Sequence, residues 1–413
     1  MEEHLNKSHQ DDRVPLVVIK VGTSTLMKVN AETGDQRVNL SAMGAIVETV
    51  TSLHQMGYGV IIVTSAAVGF GCLKLNLRER PKTLSLKQAA AAAGQSQLMR
   101  FYEDLFGVYG LKVAQILLSR FDFSAKDRFA NVHNAIRELL KLRVIPIINE
   151  NDTVSTEELR FGDNDTLSAL VAVGVSADRL FLLTDVDSLF TANPRTNPDA
   201  KPVLDVSASE LATIGGADST GSGWGTGGMS MFEISVLFLL HVVTKIIAAR
   251  TAVCAGIEVI LSHGAYPERV MSYLEFLKSS QNRPPCTVFH AVARVLISPS
   301  GSTMNPHRRW MLALPVRGTL VLDEGACKAI LAKKSLLAAG VVEVSGKFHR
   351  DECVSLVSRE SSAEIARCLM NADTSEVERI KGLKSSEYEG ALGFAAAPEI
   401  AYRSNIILVA QHD

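Results

Sequence analysis

A chain of 413 residues is longer than one hydrophobic core usually organises, which predicts two domains of unequal size. Hydrophobic residues make up 47% and charged residues 21%, a balance that excludes an intrinsically disordered chain, and a net charge of −2 gives no whole-chain reason to expect a polyanionic partner. The six cysteines (Cys72, Cys254, Cys286, Cys327, Cys353, Cys368) form no CxxC pair and have no histidine at zinc-ligand spacing, so they read as buried thiols.

Residues 1–14 form a polar tail of mixed charge without the apolar core of a secretory signal, so a cytoplasmic location is the default expectation. From Pro15 to about His263, short β-branched runs alternate with helix-like segments, beginning with LVVIKVG, LSAMGAIVETVTSLHQM and GVIIVTSAAVG. That alternation predicts an α/β domain over 15–280, an open and mostly parallel sheet with helices on both faces. VAQILLS, VIPIINE, RLFLLTDV and IEVILS continue the series as apolar runs of the kind covered on both sides. In such a sheet ligands bind beyond the carboxyl ends of the strands, where KVGTS, TSAAVG, INEND and TDVDS all fall.

Lys20 stands near the end of the first strand, before Gly22, where an ammonium group can neutralise a transferring phosphate. A strand-end surface lysine is the plain alternative, since this segment holds neither GxGxxG nor GxxxxGK[ST]. In TSAAVG, small residues at a strand-to-helix turn would expose amides and the Ser65 hydroxyl to an anion such as a carboxylate, with a tight packing turn as the alternative. Asn149, Glu150, Asn151 and Asp152 follow VIPI directly, and Asp163, Asn164 and Asp165 open the next helix. One helix cap needs one polar residue, whereas these two clusters supply seven, enough to surround a small carboxylic acid and its ammonium group. Thr184 and Asp185 end RLFLL, where a nucleotide could be met, and Thr226, Gly227, Gly228, Met229 and Ser230 form a glycine-rich turn suited to phosphates or, equally, a linker.

The run Met231 to Val243 is the most apolar stretch, but at 13 residues it is too short to cross a bilayer, which takes about 20. Around Gln281 to Pro285 a double proline suggests a linker, after which glycine-separated runs such as GTLVLDEGA, GVVEVSG and ECVSLVS read as a small β-rich domain over 286–372. Arg283 to Met370 holds 12 basic against 7 acidic residues, a net +5 for which a solvated surface is the plain reading and a nucleic-acid contact the other. Residues 373–413 look like a helical tail.

Taken in order, IKVGTS, VTSAAVG, INENDTVSTEELRFGDNDTLSAL, LLTDVDSLFTANPR and GTGGMS closely resemble the glutamate 5-kinase branch of the amino-acid kinase family, over nearly the whole chain. RRWMLAL, GTLVLDEGACKAIL and EVSGKF resemble the PUA domain. The resemblance implies transfer of the ATP γ-phosphoryl group to the γ-carboxylate of L-glutamate, with Mg2+ accompanying the nucleotide. It puts glutamate against Ser65, Asp152 and Asn164, and ATP against Lys20, Thr184, Asp185, Thr226 to Ser230 and Lys245. Lys20 and Lys245 are then the catalytic lysines, with Asp165 orienting them. It further implies a homo-oligomer and coupling to a glutamate-5-semialdehyde dehydrogenase that consumes the labile acyl phosphate.

Two departures stand out. Ala66 occupies a turn position where the family pattern has glycine, which strains the turn if it needs positive φ. The family pattern also allows one residue between GTGGM and Thr-Lys, whereas here Met231 to Val243 separate Ser230 from Thr244 and Lys245. Extended as a continuous helix, the insert would shift Lys245 by about 20 Å and rotate it by about 220°, out of the site. Looped out, it would keep Lys245 in register but expose an apolar run. A third explanation is that the segment is absent from the working protein.

Other readings remain beside the kinase: an RNA-binding PUA protein on a non-catalytic scaffold, or a protein impaired by residues 231–243. Acetylglutamate, aspartate and nucleotide-monophosphate kinases share the fold, and the INEND and GDND pair argues against them.

Overall fold

The computed structural model describes residues 14–30, 36–77, 79–119, 122–123, 126–155, 164–191, 197, 199–213, 236–291, 311, 314 and 316–409. The chain opens with β1, Leu16–Val21, all six residues buried. A hairpin of β2, Met27–Val29, and β3, Gln36–Val38, follows. Next come β4, Gly59–Thr64, β5, Val113–Leu118, β6, Ile145–Glu150, and β7, Arg179–Thr184. The short pair β8, Leu189–Phe190, and β9, Pro202–Val203, precedes β10, Asp205–Val206, β11, Glu258–His263, and β12, Thr287–Phe289.

Eight of these strands form one sheet in the order β10-β12-β11-β7-β1-β4-β6-β5, parallel throughout except where β12 runs against β11. Successive side chains alternate between faces, and each face has its own core. Leu16 and Val18 join Val171, Ala248 and Ala252 on one side, under the helices Asn164–Val175 and Val236–Cys254. Val17, Ile19 and Val21 join Ile46, Leu98, Tyr102 and Tyr273 on the other, under Leu40–Gln55, Leu84–Val108 and Arg269–Ser279. The same alternation points Lys20 to the first side. β1 lies at the reversal of strand order, with β4, β6 and β5 on one flank and β7, β11 and β12 on the other, the place where α/β sheets hold ligands.

Three expectations are corrected. β5 is the edge strand and only partly buried, because no described strand pairs beyond it. The double proline does not end the first unit: β12 lies after it and pairs with β11. The tail is not simply helical, since the short helices Thr374–Ile380 and Tyr388–Leu392 are followed by Glu399–Ala401 and Ile406–Leu408, apolar β-branched runs that find strand partners.

In the C-terminal part, β13, Val316–Leu322, leads through the helix Glu324–Leu331 to β14, Leu336–Leu337, and β15, Val341–Gly346. The Asp323 carboxylate caps that helix by accepting from the Ala326 amide at 2.7 Å. β16, Cys353–Ser358, β17, Glu364–Leu369, β18, Glu399–Ala401, and β19, Ile406–Leu408, complete it. Five form a sheet in the order β15-β13-β16-β17-β19, while β14 pairs with β18. One face packs on its own core around Leu320, Phe348, Val354 and Cys368. From the other, Cys353, Leu369 and Ile407 join the same buried cluster as Ala248 and Ala252. RRWMLAL falls almost wholly outside the described residues. Of the six thiols, five are buried and Cys254 is exposed. Among the described residues no helix is long and apolar enough to cross a membrane.

Candidate active site

Three charged side chains from three separate elements meet beyond the end of β1. Lys20 Nζ lies 2.5 Å from Asp165 Oδ1, and Lys245 Nζ donates to Asp165 Oδ2 at 3.1 Å. Thr244 Oγ1 donates to the same Oδ2 at 3.1 Å. Lys20 and Lys245 are each 7% exposed and Asp165 is 2% exposed, so the cluster is buried. Asp165 stands in the first turn of its helix, where a carboxylate is favoured by the helix dipole. Burial works to raise its pKa, but Lys20 and Lys245, by charge and hydrogen bonding, hold it below the ordinary value. With two cations on one carboxylate the cluster itself is net positive, a setting for an incoming phosphate. Gly22 makes room for it: a Cβ there would come within 3.3 Å of Lys20 Nζ.

One flank of the cluster is built at the ends of β4 and β6. Ala66 adopts φ 80°, so the turn does require the left-handed conformation expected of glycine, and alanine pays about 1 kcal/mol for it. The helix Ala67–Lys74 after this turn is docked at backbone contact against Leu84–Val108: a Cβ on Gly71 would lie 1.8 Å from Ala90 O, and one on Gly94 would lie 1.9 Å from Ala67 O. Asn164 Nδ2 donates to Thr64 O at 2.6 Å, to Ser65 Oγ at 2.9 Å and to Asn149 Oδ1 at 2.9 Å, drawing the ends of β4, β6 and the next helix together. Asp152 lies in the turn two residues beyond the end of β6.

On the other flank, buried Thr184 ends β7 and its hydroxyl donates to Asp185 Oδ1 at 3.1 Å, with Asp185 itself exposed. Beside them a mostly apolar hollow is lined by Val186, Leu189, Phe190, Ile246 and Leu261, with Lys245 also in its lining. Thr226, Gly227, Gly228, Met229 and Ser230 lie outside the described residues, as do Gly162 and Asp163.

The insert resolves differently from either conformational expectation. The helix Val236–Cys254 is continuous through residues 236–243, yet Lys245 stays in the site. The expected 20 Å displacement took the glycine-rich segment as the fixed point. The helix is instead fixed by its later half, where Ala248, Ala249, Ala252 and Val253 are buried in the core and Arg250 donates to Leu211 O at 3.0 Å. Added helical length therefore extends upstream from Lys245. Residues 231–235 lie outside the described ones.

Sequence reading marked Asn149 only as one of seven clustered polar residues and gave no role to Thr244 or Gln95. Thr244 was visible as the neighbour of Lys245, whereas Gln95 carried only one signal, a polar side chain beside the glycine of an alanine-rich helix. No group of three His, Cys, Asp or Glu side chains fit to hold a metal occurs among the described residues.

Residues 15–247 match the model of the amino acid kinase family, and residues 318–392 match that of the PUA domain. A glutamate 5-kinase of Rippkaea orientalis is 43% identical over 393 residues, spanning 94% of this chain and 98% of its own length. A glutamate 5-kinase of Nostoc punctiforme is 43% identical over 396 residues, 95% of this chain and 99% of its own. One from Synechocystis sp. is 42% identical over 395 residues, 95% of this chain and 97% of its own.

Proposed function

The chain belongs to the amino acid kinase family, and from its likeness to glutamate 5-kinases over nearly its whole length we infer that it acts as one. It transfers the ATP γ-phosphoryl group to the γ-carboxylate of L-glutamate, giving L-glutamyl 5-phosphate, the first step toward proline. The observation that carries the chemistry is the cluster of Lys20, Asp165 and Lys245.

The attacking carboxylate is already an anion, so no general base is needed; catalysis rests on in-line positioning and neutralisation of charge. In our assignment, Lys20 and Lys245 approach the transferring group from β1 and from the long helix, and Asp165 holds them at a set spacing. Glutamate lies on the flank of β4 and β6, against Ser65, Asp152 and Asn164. ATP lies on the flank of β7, against Thr184, Asp185 and the stretch Thr226 to Ser230. Mg2+ enters with the nucleotide as part of the substrate.

A cytoplasmic setting, a homo-oligomer and hand-over of the labile acyl phosphate to a glutamate-5-semialdehyde dehydrogenase belong to the same proposal. RNA contact by the basic module is a further element of it, testable by a salt-dependent binding titration. The intact lysine cluster argues against a non-catalytic scaffold. The deciding experiment is ADP release by the full chain offered glutamate, aspartate, acetylglutamate or UMP. We expect turnover with glutamate at least about tenfold faster than with aspartate, one methylene shorter. A faster rate with any of the other three would overturn the assignment.

A further inference from the structure

A ladder of side-chain amides leads away from the acceptor flank. Asn164 Nδ2 donates to Asn149 Oδ1 at 2.9 Å, Asn149 Nδ2 to Gln95 Oε1 at 2.8 Å, and Gln95 Nε2 to Gln115 Oε1 at 2.9 Å. Amide oxygen and nitrogen are easily interchanged in assignment, but here two backbone groups fix the direction. Thr64 O can only accept, so the group 2.6 Å from it must be the Asn164 nitrogen. The Glu150 amide can only donate, so the atom 2.9 Å from it must be the Asn149 oxygen. Asn149 therefore turns its nitrogen to Gln95, which must answer with its oxygen. Asn149 is 1% exposed and Gln95 is 8% exposed, so little water is at hand to replace a lost partner.

The two hydrogens of the Asn164 amide are thus committed to three protein acceptors. Its oxygen is the atom left for a ligand, and an amide oxygen can only accept. With both carboxylates ionised, glutamate has one donor, its α-ammonium group.

We propose that Gln95 is a positioning residue of the acceptor site: by holding Asn149, and through it Asn164, it keeps the Asn164 oxygen turned toward the α-ammonium group of the amino acid. The inference rests on the glutamate kinase reading and adds to it the group that distinguishes an amino acid from a plain dicarboxylate.

The test compares L-glutamate with glutarate, the same dicarboxylate without the amine, by calorimetric titration of the full chain and of Gln95 variants whose melting is checked against the parent. Gln95→Leu removes the acceptor. The expected result is glutamate binding weakened about tenfold, the worth of one buried hydrogen bond, with glutarate binding and the KM for ATP unchanged. Gln95→Met, closer in shape and also without an acceptor, gives the same result and serves if the leucine variant does not fold. Gln95→Glu retains an acceptor oxygen and stays within about threefold of the parent. An unchanged preference for glutamate over glutarate in Gln95→Leu and Gln95→Met, or a loss in Gln95→Glu as large as in Gln95→Leu, overturns the proposal. Failure of the parent chain to bind glutamate at all is a different result, which removes the kinase reading itself.

Discussion

With Asp165 exchanged for asparagine, Lys20 and Lys245 keep their places in the chain but lose the charge that spaces them. We expect kcat to fall about a hundredfold, the effect of a misplacement on the order of 1 Å, while ATP binds no more weakly because a negative charge near its phosphates is gone. Steady-state kinetics with ATP and glutamate varied in turn separate the two effects. The same carboxylate links stability to pH. Its folded pKa is depressed, so its contribution is fully present above the ordinary aspartate pKa of about 3.9 and is lost as pH falls through the folded value. The stability difference between the parent and Asp165→Asn, from urea unfolding, should be constant near neutrality and shrink as the pH drops below about 4. At this scale Lys20, Asn164 and Asp165 were legible because each sits where a strand or helix ends. Gln95 was not, since its partners are 20 and 54 residues away and only the fold brings them together.

Strand register in the large sheet had no sequence signal, since strands covered on both sides carry no facing pattern, whereas its elements were readable as alternating β-branched and helical runs. The place of β12 was not, because three residues after a double proline carry too little pattern to be assigned to either unit. The long helix shows a different limit: the apolar run before Thr244 left helix and loop both open and carried no sign of which end is held. Since its later half is packed and bears Lys245, deleting residues 231–243 should leave the contact with Asp165 intact and bring the glycine-rich segment next to Thr244. The expected outcome is kcat within about threefold of the parent and a KM for ATP lower by several-fold, as phosphate contacts regain a shorter reach. Initial rates at varied ATP measure both, and a collapse of kcat would show that the added turns are needed to place Lys245.

Two modules share one buried cluster in this molecule, through Cys353, Leu369 and Ile407. Every described residue assigned to catalysis or binding nevertheless lies before β12. A chain ending after residue 291 should therefore keep KM for glutamate and ATP within about threefold, yet melt about 5 °C lower as the apolar contacts worth about 2–3 kcal/mol are uncovered. Loss of turnover with melting unchanged would assign the second module a part in the reaction. The order of the large sheet has one more consequence. On the proposed assignment, the strands that shape the acceptor flank lie on one side of β1 and those that shape the nucleotide flank lie on the other, each contributed by its own stretch of chain. Substitutions can accumulate along residues 59–164 and change what is phosphorylated without disturbing how ATP is held, so descendants of such a fold can diverge in acceptor while inheriting one phosphoryl donor.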